Sequence, residues 1–226
     1  MRTRTFLVFA AAAGACALLS GCSTSSPGAS SDGDQTARAT VTPDADNVLA
    51  AFAGISSDYD AVETGPDLAE ISEAEVVGTI RSVSEGRVAT VVGTDDVLSH
   101  SIVVEIAPDQ VFSGSEVQTL DSVYVELNNP GDRNASEYAD ALPLGAQVMA
   151  YIEPAWDGSA QTGVDQELQN PDAGRPTGEP LYVLTSPQGF AIVASSGDVV
   201  WPLLGATLEG DLKDFSPDGS ALLAQR

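Results

Sequence analysis

The chain has 226 residues and is strongly acidic, with 33 Asp and Glu against nine Lys and Arg and a formal net charge of −24. Hydrophobic residues make up 43% of the chain, which is enough to bury a core in one or two domains. The acidic excess argues against a nucleic-acid partner, because that binding depends on Lys and Arg neutralising phosphates. With one His and two Cys, zinc-finger and multi-His metal sites are excluded, and without a nucleotide-binding glycine motif no cofactor is predicted.

The first 21 residues have the pattern of an export signal. Arg2 and Arg4 precede an uncharged apolar run from Phe6 to Leu19. This run has the length of a signal-peptide core and is shorter than the roughly 20 apolar residues that a membrane span needs. The sequence Leu19-Ser20-Gly21-Cys22 follows and resembles the lipobox of bacterial lipoproteins.

The lipobox resemblance implies cleavage between Gly21 and Cys22. The Cys22 thiol would carry diacylglycerol as a thioether, its new amino terminus would be acylated, and the protein would be anchored at the extracytoplasmic face of the cell membrane. Each buried acyl methylene contributes about 0.8 kcal/mol, and two chains suffice for stable anchoring. Cys16 would leave with the signal, so the mature chain would hold no disulfide. The alternatives are an ordinary secretory signal with an incidental Cys, or an uncleaved N-terminal anchor.

Residues 22–43 are predicted to form a flexible linker. This segment is rich in Ser, Thr, Ala, Gly and Asp, and it cannot repay its ordering entropy by burial. A coil of this kind would have an end-to-end distance of roughly 25 Å. The folded, β-rich domain is predicted over residues 44–226, and a subdivision into a barrel over 44–155 and a β meander over 180–226 is left open.

The folded part is predicted to begin with a short helix that Asp44 caps, running from Ala45 to Phe52. Between residues 40 and 80 there are nine acids and no Lys or Arg, namely Asp44, Asp46, Asp58, Asp60, Glu63, Asp67, Glu70, Glu73 and Glu75. Such a run is typical of a solvated face or of a mobile segment that leads into the fold. The more specific alternative is a surface that binds calcium or a cationic partner, although the spacing of these acids does not match a calcium-binding loop.

From Glu75 onward, alternating apolar residues predict strands. The first two, Glu75–Val83 and Arg87–Val92, are expected to form a hairpin around Ser84-Glu85-Gly86. Further strands are predicted over Ser101–Ile106, Ser122–Leu127 and Gln147–Ile152, with a short helix over Asn134–Leu142. After a long loop over residues 156–180, a meander is predicted over Leu181–Thr185, Phe190–Ala194 and Val199–Leu204. This order predicts a mainly β fold, a small barrel of the OB type or a related one, with one or two short helices.

Few residues could support catalysis. His100 is the only His, its neighbours on a strand would point away from it, and no G-x-S-x-G segment is present. No catalytic residue is therefore predicted. A pair of carboxylates is the weaker alternative, because glycoside hydrolysis needs only two at a suitable separation. Trp156 and Trp201 are predicted to be core or loop-anchoring residues.

Two polar segments are predicted to be turns. Residues 214–220, Asp-Phe-Ser-Pro-Asp-Gly-Ser, resemble the turn repeated in the blades of TolB-like propellers, but the motif occurs once and predicts a single β-turn. Residues 128–132, Asn-Asn-Pro-Gly-Asp, are predicted to form a turn, and an oxygen-rich loop that binds a cation is the alternative.

These patterns together predict a monomeric, non-catalytic binding or assembly module of the cell envelope. Its membrane partner would be reached through the lipid on Cys22, and its second partner would be an unidentified envelope protein or ligand. A calcium-binding acidic surface domain is the runner-up, and a carboxylate-pair hydrolase is the weaker alternative.

Overall fold

The computed structural model describes residues 41–158 and 165–224. Gly21, Cys22, the predicted signal and the predicted linker as far as residue 40 lie outside the described residues. Within the described residues, no helix is both long enough and apolar enough to cross a membrane.

The fold is mainly β, as predicted, with nine strands and two short helices in the described part of the chain. The helices are α1 (Ala45–Ala51) and α2 (Gly65–Ala69). The strands are β1 (Ala74–Val91), β2 (Val97–Val111), β3 (Val123–Asn128), β4 (Gln147–Pro154), β5 (Gln166–Gln169), β6 (Leu181–Leu184), β7 (Phe190–Val193), β8 (Val199–Trp201) and β9 (Ala206–Leu208). As predicted, the Asp44 carboxylate caps α1, accepting hydrogen bonds from the backbone amides of Asp46 and Asn47 at 3.0 and 3.3 Å.

The strands form one hydrogen-bonded sheet in the order β5-β1-β2-β3-β6-β4-β7-β8-β9, and β1 also pairs with β4. The β3–β6 pair is parallel, and the other pairs are antiparallel. Because β6 pairs with both β3 and β4, strand pairing joins residues 180–226 to the segment that precedes them.

The hairpin predicted around Ser84-Glu85-Gly86 is wrong. β1 continues through these residues, and its register against β2 shifts between Glu85 and Val88. Gly86 lies so close to Ser101 of β2 that a Cβ atom there would overlap the Ser101 hydroxyl. Gly86 therefore lies at a β-bulge in β1, where the backbone of β2 approaches closely. The chain reverses instead between β1 and β2, where Gly93 has a φ of +74°.

Two other predicted segments also differ from the structure. The helix expected over Asn134–Leu142 shortens to a 3-10 helical turn, Ala135–Tyr138. The loop expected over residues 156–180 contains β5, which pairs with β1.

Hydrophobic residues pack on both faces of β1 and β4, because successive side chains on a strand point to opposite sides. One face of these strands contributes Val76, Ile80, Val148 and Ile152 to the larger cluster. The opposite face contributes Met149 and Tyr151 to a second cluster with Trp201, Phe215 and other residues of the C-terminal part. Trp201 is fully buried, as predicted for a core residue, and its ring meets that of Phe215 edge-on at 4.8 Å between centroids.

The buried side chain of Gln188 holds the two ends of the folded region together. Its amide oxygen accepts from Val62 N at 2.9 Å, and its amide nitrogen donates to Val62 O at 2.9 Å and to Ala224 O at 3.0 Å. Leu223 N donates to Glu63 O at 2.8 Å beside it. The segment before β1 and the C-terminal tail therefore run side by side on the outer face of β4.

Candidate binding cleft

The side chain of Glu75 is the least expected feature of the structure. It lies near the start of β1, opposite Tyr151 of β4, and it is only 1% exposed. One carboxyl oxygen, Oε2, is buried and has no hydrogen-bond partner in the described structure. Burial raises the pKa of the Glu75 carboxyl, and the Ser113 hydroxyl together with the amide of Glu75 itself offsets only part of this effect. An acceptor buried without a donor is costly, more so when it is charged.

Glu75 lines an open cleft of about 610 Å³, here called the Glu75 cleft. Three stretches of chain form its walls: the end of α2, the end of β2, and the turn near the C terminus. The lining residues are Pro66, Ala69, Glu70, Glu75, Gln110, Val111, Phe112, Ser113, Pro217 and Asp218. The cleft is thus lined by three carboxyl groups, and no Lys or Arg is among its lining residues.

A second cavity, of about 330 Å³, shares Gln110 and Phe112 with the Glu75 cleft and is here called the Phe112 pocket. Its wall includes several apolar side chains, among them Val77 and Leu212, and it also includes Lys213 and Asp211. Lys213 Nζ lies 3.1 Å from Asp211 Oδ2. The hydrogen bond to Asp211 and the charge of this carboxylate raise the pKa of Lys213. The one cation of the pocket is therefore already paired with an anion.

Close backbone contacts fix the wall made by α2 and the tail. A Cβ atom on Gly65 would overlap the carbonyl oxygens of Phe215 and Ser216 and come 2.7 Å from the Tyr151 hydroxyl. That hydroxyl donates to Phe215 O at 2.8 Å. Burial, and secondarily the charge of Glu75, raise the pKa of Tyr151, so the phenol keeps the proton that it donates.

The single turn predicted near the C terminus is confirmed, and it borders the cleft. Gly219 N donates to Ser216 O at 2.8 Å, which closes the turn around Pro217 and Asp218. A Cβ atom on Gly219 would overlap the backbone of Asp214, which explains why this turn holds a glycine.

The outer face of β1, β2 and β3 is occupied by an ion pair between Arg87 and Glu126. Arg87 is 7% exposed, and its Nε donates to Glu126 Oε1 at 2.9 Å while a second guanidinium nitrogen contacts Oε2. Ser101 Oγ lies 2.7 Å from Glu126 Oε1, and Arg87 also donates to the carbonyl oxygen of Trp156. Both charges are satisfied within the chain, so this cluster fastens the segment after β4 to the sheet.

The remaining residues singled out by sequence do not meet in one site. Nε2 of His100 lies 3.4 Å from Oδ1 of the exposed Asp132. In the 128–132 segment, the Asn129 side chain bonds the backbone of Arg133, which supports the interpretation as a turn. Trp156 follows β4, with its carbonyl oxygen bonded to Arg87. Across residues 41–158 and 165–224, no three His, Cys, Asp or Glu side chains lie close enough to hold one metal ion.

Sequence reasoning assigned Glu75 to the wrong environment. Eight of the nine acids between residues 40 and 80 are exposed, as a solvated face requires, but Glu75 is buried. The burial of Glu75 could have been inferred from its position inside the apolar run Ala74-Glu75-Val76-Val77. A strand has begun there, and both neighbours of Glu75 are core residues.

Comparison of the chain with known protein families, curated proteins and solved structures found no match. The fold and the cleft therefore define it only as a mainly β protein with an acidic cleft, and its function has to be inferred from the chemistry of that cleft.

Proposed function

We propose that the protein is a lipid-anchored, non-catalytic binding module that acts as a monomer outside the cytoplasmic membrane and holds a small ligand in the Glu75 cleft. The observation that carries this proposal is the unpartnered Oε2 of a carboxyl group that is 1% exposed and lines an open cleft. A buried acceptor in a cleft gains a hydrogen bond when a ligand brings a donor.

The strand pairings support the finer proposal of an OB-type barrel. Pairing runs from β1 through β2, β3, β6 and β4 and returns to β1, and the turn Ala135–Tyr138 lies between β3 and β4. OB folds bind ligands on the face of their second and third strands and through nearby loops. Here the Arg87–Glu126 pair occupies that face, and Gly174 packs against Val103 of β2. The proposed ligand site is therefore the Glu75 cleft, which Glu75 of β1 and the end of β2 help to line.

The anchoring part of the proposal is supported by the lipobox-like residues that end in Cys22. Loss of residues 1–21 would remove two Arg and no acid, so the exported chain would be even more acidic than the whole. Such a body is repelled by anionic headgroups, and the lipid on Cys22 would be what holds it at the membrane. Mass spectrometry of the N-terminal peptide from membranes should show a diacylglyceryl-modified Cys22, and Cys22→Ala should abolish the modification. An unacylated or uncleaved N terminus would contradict the anchor.

The binding part is tested with a thermal-shift panel of amines, amino acids, sugars and short peptides. Ser113→Trp would place an indole at the lip of the Glu75 cleft, and Ser115→Trp is a matched control on an exposed residue outside it. We expect at least one compound to stabilise the wild type and Ser115→Trp but not Ser113→Trp. A panel with no stabilising compound, or an equal response of both variants, would contradict the proposal.

A carboxylate-pair hydrolase is the second candidate, because the cleft brings Glu70 and Asp218 together with Glu75, whose pKa burial raises. A carboxyl whose pKa burial raises beside other carboxylates is the pattern of a general acid. Hydrolysis of a panel of glycosides by the wild type and not by Glu75→Gln would favour this candidate over a binding module. The calcium-binding alternative stays a prediction. The described residues contain no group of three or more His, Cys, Asp or Glu side chains that could hold the ion.

A further inference from the structure

We propose that the ligand of the Glu75 cleft is a small organic ammonium ion with an apolar body, whose N–H group donates to Glu75 Oε2. This inference rests on the proposed binding function and names the chemical class of its ligand.

The charge of the cleft favours a cationic ligand. The cleft is lined by Glu70, Glu75 and Asp218, and none of its lining residues is basic. An anionic ligand would meet three carboxyl groups without a cation to balance them. A cation is attracted by the same three groups, and a charge-assisted hydrogen bond to a carboxylate is about twice as strong as a neutral one.

The Glu75 carboxyl has a hydrogen-bond acceptor to offer a ligand. Oε2 of Glu75 is an acceptor without a donor, although the Ser113 side chain lies close enough to lower the pKa of the carboxyl in part. The Ser113 hydroxyl donates to the carbonyl oxygen of Glu73 at 3.3 Å. A ligand N–H group that reaches the Glu75 carboxyl from the cleft would therefore give Oε2 the donor that it lacks.

The lining of the cleft suits an organic cation better than a metal ion. The part of the chain that the structure describes contains no group of three or more side chains placed to ligate a metal. The cleft walls instead offer apolar and aromatic surface from Pro66, Phe112 and Pro217. Aromatic rings attract ammonium groups, and apolar walls bind hydrocarbon, so both parts of an amine find a complementary surface.

The cleft has the size of a small-molecule site. The cleft volume of about 610 Å³ lies within the range of roughly 300–1,000 Å³ found for small-molecule sites. At the shared residues Gln110 and Phe112, the cleft adjoins the Phe112 pocket, which Val77 and Leu212 help to line. The apolar body of the ligand can extend in that direction.

The test uses three probes with nearly the same hydrocarbon body and different charge: phenethylamine, 2-phenylethanol and 3-phenylpropionate. Titration calorimetry on the wild type should show that phenethylamine binds about tenfold more tightly than the alcohol, as expected from one charge-assisted hydrogen bond. The propionate should bind more weakly than both. Glu75→Gln should remove the preference for the amine, while Glu209→Gln, which changes an exposed acid outside the cleft, should keep it.

The outcomes separate this inference from the proposed function. Ser113→Trp should abolish binding of phenethylamine, and circular dichroism of each variant establishes that it is folded. Equal affinity of the wild type for the amine and the alcohol, or a preference that survives in folded Glu75→Gln, overturns the ammonium inference. A neutral or anionic compound that Ser113→Trp excludes would then leave the binding function standing. If Ser113→Trp excludes no compound of any charge, both proposals fail.

Discussion

Replacing Arg87 with Met should destabilise the fold far more than an ordinary surface substitution. The Met side chain keeps the apolar part of Arg87, but it removes the guanidinium that faces Glu126. The Glu126 side chain is 13% exposed and would keep only the contact with Ser101 Oγ at 2.7 Å. Removing one partner of a buried ion pair typically costs about 3–5 kcal/mol, because the other charge stays buried. With Ser101 still in place, we expect the free energy of unfolding to fall by about 3 kcal/mol, the lower end of that range.

Two matched variants isolate the cause. Arg81→Met removes a long pair with Glu105, at 4.0 Å, and hydrogen bonds to Asp121 O and Ser122 Oγ at 2.7 and 2.6 Å. Because this arginine is 41% exposed, its loss should cost only about 1 kcal/mol. The double variant Arg87→Met/Glu126→Met removes both buried charges. Its stability should return to within about 1 kcal/mol of the wild type, because apolar residues often replace a buried pair without loss.

Urea unfolding, followed by circular dichroism and by the fluorescence of the tryptophans, measures these three variants and the single variant Glu126→Met. The reasoning fails if Arg87→Met and Arg81→Met lose equal stability. It also fails if the double variant is as unstable as the sum of its single substitutions, since that would show no coupling between Arg87 and Glu126.

Three further predictions concern the walls and the floor of the cleft. Gln188→Leu should lower the free energy of unfolding by about 2–4 kcal/mol in urea, because it removes three hydrogen bonds to backbone groups, while Gln118→Leu, at an exposed position, should change it little. Gly65→Ala should lower the melting temperature, because its methyl group would overlap backbone carbonyl oxygens, including that of Phe215. Burial raises the pKa of Glu75 from its ordinary 4.5, so the folded chain holds more protons above that pH, and wild-type stability relative to Glu75→Gln should fall over the pH range that begins at about 4.5 in parallel urea titrations. A constant difference across that range would refute the assignment.

Strands with regular alternation could be predicted from the sequence. The residues predicted as strands over Ser101–Ile106 and Gln147–Ile152 lie within β2 and β4, and those over Ser122–Leu127 differ from β3 by one residue at each end. In each case, the buried residues on one face follow a period of two. This local pattern is sufficient because the sheet buries that face whatever its partner strand is.

The bulge at Gly86 could not be predicted by the same reasoning. Ser, Glu and Gly in succession are typical of a turn, and nothing nearby distinguishes a turn from a bulge. What decides is Ser101 of the neighbouring strand, which leaves no room for a Cβ atom. The same limit applies to Glu75, whose cleft is lined partly by Pro217 and Asp218 from the far end of the chain. Positions set by long-range contacts are thus where local patterns fail.

The walls of the cleft connect ligand binding to the stability of the folded region. Pro66 and Glu70 belong to the segment before β1, and Pro217 and Asp218 belong to the tail, while the Gln188 side chain bonds both stretches. A ligand on Glu75 would therefore contact both the segment before β1 and the C-terminal tail, which are held together by tertiary contacts. Ligand binding would raise the free energy of unfolding by about 2.7 kcal/mol when the ligand concentration is one hundred times the dissociation constant. Because the segment before β1 is the part of the domain nearest to Cys22 along the chain, occupancy of the cleft would stabilise the end of the domain that leads to the proposed anchor.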